Sequence, residues 1–137
     1  MSRTHKFLIL ALALLMLTLA ACSSLAANAA SGPKNITAAD AGKTIELKKG
    51  AILTVSLEGN ATTGFNWVVA DPAPAILKQE GDAQVTPVSD AIGAGGTIVL
   101  KFSALQSGQA TLKLAYQRPW EKGVAPEKTF EVTVIVK

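Results

Sequence analysis

Thr129-Phe130-Glu131-Val132-Thr133-Val134-Ile135-Val136 carries an apolar side chain at every second position: Phe130, Val132, Val134 and Val136. A period of two is the mark of a β-strand with one face on a core, and the β-branched residues favour the extended chain. Three stretches upstream repeat the pattern. Residues 52–57 put Leu53, Val55 and Leu57 on one face, 97–103 put Ile98, Leu100 and Phe102 there, and 109–116 put Ala110, Leu112, Leu114 and Tyr116 there. Shorter candidates at 44–47, 65–69, 76–80 and 85–88 are separated by clusters of Gly, Pro, Asn and Asp. No convincing helical face follows residue 33. Seven or eight short strands in roughly 95 residues fit an all-β, immunoglobulin-like sandwich, two sheets closing over one core. Another small barrel or a jelly roll is the alternative that strand counting leaves open.

Residues 1–22 read as an export signal. Arg3 and Lys6 give a basic start, and residues 7–21 are apolar apart from Thr18. The run falls short of the ~20 residues that span a bilayer. It ends in Leu19-Ala20-Ala21-Cys22, which resembles the lipobox of bacterial lipoproteins. That resemblance implies cleavage before Cys22, diacylglycerol on its thiol, and a protein held to the membrane of a bacterial cell envelope through that lipid. Ser23 after the lipid cysteine favours outer-membrane sorting by the same resemblance. Cleavage after Ala27-Asn28-Ala29, with Cys22 discarded, is the alternative. Residues 23–33, rich in Ala and Ser, read as a flexible tether, and 34–137 as the folded domain.

Cys22 is the only cysteine, so the domain has no disulfide and relies on burial and sheet pairing. Without Arg3 and Lys6 the 13 basic residues fall to 11 against 10 acidic ones. The longest basic run is Lys48-Lys49, which argues against a nucleic-acid partner.

Three stretches between strands stand out. Asn60-Ala61-Thr62-Thr63-Gly64-Phe65-Asn66-Trp67 sets small hydroxyl residues before a glycine and aromatics after it, with Gly64 placed for a backbone conformation closed to other residues. Gly93-Ala94-Gly95-Gly96 offers backbone with almost no side chain, and lacks the helix and Lys-Ser or Lys-Thr of a phosphate loop. Arg118-Pro119-Trp120 combines the residue types most enriched at binding hot spots with a proline that limits their freedom. Each is unremarkable alone: a hairpin loop, a flexible connection, a tryptophan folded over the core edge. In an antiparallel sandwich, however, alternate connections emerge at the same end. Counted over seven strands, these three are the second, fourth and sixth connections and would form one composite surface.

Thr-Thr-Gly-Phe, Gly-Ala-Gly-Gly and Arg-Pro-Trp, in this order across one β-domain, resemble the chagasin family of cysteine peptidase inhibitors over about residues 45–137. The resemblance implies an immunoglobulin-like sandwich that blocks the cleft of a papain-family cysteine peptidase. Asn60, Thr62, Thr63, Gly64, Phe65 and Trp67 would belong to the central wedge, Gly93, Gly95 and Gly96 to one flank, and Arg118, Pro119 and Trp120 to the other. The family's wedge usually reads Asn-Pro-Thr-Thr-Gly, whereas position 61 here is Ala.

Catalysis by the chain itself is not expected. His5 is the one histidine and lies in the signal, so Ser-His and Cys-His nucleophiles and the common zinc sites are excluded, and no cofactor or metal is implied. Asp71, Asp82, Asp90, Glu121 and Glu127 show no pairing suited to a cleft. The expected protein is a monomeric inhibitor. The alternative is an envelope-anchored immunoglobulin-like adhesion or structural lipoprotein.

Overall fold

The computed structural model describes residues 32–70 and 72–137. The signal, Cys22 and most of the tether lie outside the described residues, as does Asp71.

Among the described residues, nine strands form two sheets: β1 (Lys34–Thr37), β2 (Thr44–Leu47), β3 (Ile52–Gly59), β4 (Asn66–Val69), β5 (Leu77–Gln79), β6 (Gln84–Pro87), β7 (Gly96–Ala104), β8 (Gly108–Gln117) and β9 (Lys128–Val136). One sheet runs β1-β3-β7-β5 with β6 also on β7, and the other β2-β9-β8-β4. The result is the immunoglobulin-like sandwich.

The period-two faces meet between the sheets. Leu53, Val55, Ile98, Leu112, Val132 and Val134 are fully enclosed, and Leu57, Leu100, Phe102, Leu114, Tyr116, Phe130 and Val136 are nearly so. Ala110 is half-buried at the core edge. Each enclosed Val, Leu, Ile or Phe contributes about 1.5–3 kcal/mol over its exposed state. A cavity made by Leu112→Ala would cost about 2–5 kcal/mol.

Two features depart from the sequence-based expectation. Strand β1 was not anticipated, because Ile36 is the one apolar residue in its four and shows no period; it nevertheless is buried and pairs parallel with β3. The sheets are also mixed, since β2 pairs parallel with β9. A 3-10 turn at Ala38–Asp40 links β1 to β2. There the Asp40 carboxylate accepts from the Thr37 amide at 3.0 Å and from Lys43 at 3.0 Å, which together hold its pKa below the usual carboxylate value.

β5 and β6 lie end to end along the same edge of β7. Gln79 faces Phe102 and Gln84 faces Val99, so the chain from 79 to 84 carries two residues more than the segment it faces. Gly81, at φ 70°, absorbs part of that excess. Counted as one interrupted strand, β5–β6 restores the parity that sends the three distinctive connections to one end.

Candidate functional site

The β3–β4 connection is a tight turn built from its own polar groups. Asn60 is extended (φ −128°, ψ 94°), and its Oδ1 accepts from the Thr62 amide at 3.1 Å and the Thr62 hydroxyl at 2.6 Å. The Thr63 hydroxyl donates to the Asn60 carbonyl at 2.6 Å, and the Gly64 amide donates to the Ala61 carbonyl at 3.1 Å. Residues Ala61–Thr63 thus form one 3-10 turn, closed by Gly64 at φ 81°. That left-handed conformation costs a residue with a Cβ roughly 1–2 kcal/mol. Thr62 and Thr63 are exposed, but both hydroxyl protons are used inside the turn. What the two residues present outward is their methyls and hydroxyl lone pairs.

Both neighbouring loops hold this turn. From one side, Asn60 Nδ2 donates to the Gly93 carbonyl at 3.0 Å. From the other, Arg118 Nε donates to the Thr63 carbonyl at 3.1 Å, and its guanidinium lies 4.5 Å above the Phe65 ring. From below, the Tyr116 hydroxyl accepts from the Asn60 amide at 2.6 Å. Tyr116 in turn stacks on Phe65 at 5.3 Å and packs on Trp67 at 5.2 Å. The three loops are therefore one hydrogen-bonded unit on an aromatic base.

The residues expected at this site divide into two layers. Asn60, Thr62, Thr63, Gly64, Phe65, Gly93, Gly95, Arg118, Pro119 and Trp120 gather at the loop end. Trp67 does not: it is buried in the core, with Nε1 donating to the Glu58 carbonyl at 3.0 Å. Alternation along β4 turns residue 67 inward, toward Tyr116 opposite. Gly96 also lies beneath the surface. It is the first residue of β7, buried between Gly59 and Pro87, where a Cβ would collide with the Thr86 carbonyl. The glycine-rich segment is ordered by its own bonds, Ala94 amide to Ala91 carbonyl and Val88 amide to Gly95 carbonyl, both 3.0 Å.

The third loop opens with a turn in which the Glu121 amide donates to the Arg118 carbonyl at 3.1 Å. Pro119 and Trp120 sit at its corner, and Trp120 is 66% exposed, so it does not fold over the core edge. Three contributors were not anticipated. Tyr116 was assigned to the core alone, although its position near the end of β8 places a hydroxyl within reach of the turn. Glu121 binds Arg118 Nη1 at 3.0 Å. Ile92, fully exposed at the tip of the β6–β7 connection, adds an apolar side chain beside Gly93.

An open groove of about 540 Å³ runs between the loops, lined among others by Asn60, Phe65, Val88, Gly95, Tyr116 and Glu127. Among the described residues, no three His, Cys, Asp or Glu side chains gather as a metal site would require.

The family described as chagasin family peptidase inhibitor I42 matches residues 46–134. Amoebiasin-1 of Entamoeba histolytica is 32% identical over 94 residues, covering 69% of this chain and 90% of the relative. Chagasin of Trypanosoma cruzi is 30% identical over 90 residues, covering 62% and 81%. The solution structure of amebosin superimposes with a TM-score of 0.61 at 31% identity, covering 76% of this chain and 97% of the other. The crystal structure of a cysteine protease inhibitor from Entamoeba histolytica shares the fold, with a TM-score of 0.66 at 22% identity over 77% and 96% of the two chains.

Proposed function

The chain belongs to the chagasin family of peptidase inhibitors, not to a family of enzymes, and from that premise we propose that its three-loop end plugs the active-site cleft of a papain-family cysteine peptidase. The observation that carries this reading is the bonding of three separate loops into one projecting unit, with Asn60 tied to Gly93 and Thr63 to Arg118. Occlusion requires no chemistry from the inhibitor. The Ala61–Thr63 turn enters the cleft as a wedge and offers no extended peptide to the catalytic cysteine, so the chain stays uncut. Most of the ordering cost is met in the free protein, which favours tight binding. The alternative role in adhesion has no support from the family match.

The test is steady-state inhibition of papain by the full chain, with the mixture followed by mass spectrometry. Competitive inhibition with an intact inhibitor is expected. Absence of inhibition at micromolar concentration, or cleavage within residues 60–65, would refute it.

The reading extends to location. Cys22 is proposed to carry the lipid of an envelope lipoprotein. Lys34 pairs with Leu53 near the start of β3, whereas the wedge follows Gly59 at its end, so any attachment upstream joins the domain at the end remote from the loops. Intact mass should show diacylglycerol, and Cys22→Ala should leave the membrane fraction or stay unprocessed. An unmodified chain starting after Ala29 would overturn this part.

A further inference from the structure

Glu121 lies outside all three motifs, yet its position gives it a role in the wedge. Its amide closes the turn on the Arg118 carbonyl at 3.1 Å, and its Oε1 accepts from Arg118 Nη1 at 3.0 Å. Both side chains are about one-third exposed. An arginine side chain has many rotamers, and holding one of them costs entropy. Here the guanidinium must satisfy two demands at once, Nε on the Thr63 carbonyl and its plane over Phe65. The carboxylate of Glu121 meets the fork at Nη1 and selects the rotamer that meets both.

We infer that Glu121 is a positioning residue of the inhibitory surface, holding Arg118 so that it fixes the wedge turn before a peptidase arrives. The inference rests on the reading that the wedge enters the peptidase cleft. It also reassigns Arg118. With Nε and Nη1 engaged inside the protein, its main task is to brace Thr63 and Phe65, while Trp120 and the Thr62 face remain free to touch the target. A wedge that fluctuates out of its bound shape binds more weakly in proportion to the fraction of competent molecules.

The experiment compares the full wild-type chain with Glu121→Ala and Glu121→Gln, reading papain association and dissociation rates, amide hydrogen exchange at residues 62–64, and melting temperature. Gln keeps an oxygen acceptor for Nη1 while removing the charge. Glu121→Ala should slow association by about two- to fivefold and raise exchange at the Thr63 and Gly64 amides, with an unchanged melting temperature. Glu121→Gln should restore most of both. Wild-type rates and exchange in Glu121→Ala, or equal slowing in the Ala and Gln variants, would overturn the positioning role. The latter would show that papain senses the charge directly. Failure of the wild-type chain to inhibit papain would defeat the underlying reading and the inference with it, and is distinguishable because it is seen before any substitution.

Discussion

Gly64 and Trp120 compete for the same space: the Trp120 indole covers the face of Gly64 where any other residue would carry its Cβ, with Cζ2 2.9 Å from that point. The glycine is therefore required twice, for its φ of 81° and for the seat of the indole. Gly64→Ala should cost about 1–2 kcal/mol of stability through backbone strain and push the ring off the wedge. Papain inhibition should fall at least ~tenfold, as expected when a hot-spot contact is lost. Melting curves beside inhibition constants check this, and unchanged inhibition in a folded variant would mean that the indole seat plays no part.

Trp120→Ala isolates the other partner. An indole that is 66% exposed contributes little to the core, so stability should change by no more than about 0.5 kcal/mol. Inhibition should weaken by at least ~2 kcal/mol, mainly through faster dissociation. Stopped-flow and dilution kinetics separate the two rates.

Ala61→Pro should improve the protein. Position 61 opens the 3-10 turn, where proline's fixed φ fits, and Asn60 before it is already in the extended region that a following proline demands. Among the described residues the Ala61 amide donates no hydrogen bond that proline would remove. Stability should rise by about 0.4–1 kcal/mol, read from urea midpoints, with equal or tighter inhibition.

Tyr116→Phe keeps the aromatic base but removes the hydroxyl that accepts from Asn60. The half-buried amide then lacks its partner, at a cost of about 1–3 kcal/mol. Faster amide exchange at residue 60, with the aromatic packing intact by near-ultraviolet circular dichroism, is the expected signature.

The boundary between wedge and core was only partly legible in the chain. Asn60 to Trp67 reads as one motif, but Trp67 belongs to β4, and Gly96 to β7. Both could have been separated by carrying the period of two back from Val69 and from Ile98, which turns residues 67 and 96 inward. Strand β1 could not have been found that way, because a four-residue edge with only Ile36 buried has no period to detect.

The alternation of apolar residues determined by itself that the domain is all-β with one face of each strand on a core, and the residue types in three loops singled out the connections that the fold brings together. Both signals are local, since a side chain's face is set by its parity along the strand. Only the tertiary structure decided that Arg118 braces Thr63, 55 positions away, that Asn60 reaches Gly93 across 33, and that Trp120 rests on Gly64. Those contacts depend on which strands pair and on the two-residue excess between β5 and β6. Such long-range geometry arises when the whole core closes, so no short stretch of sequence contains it.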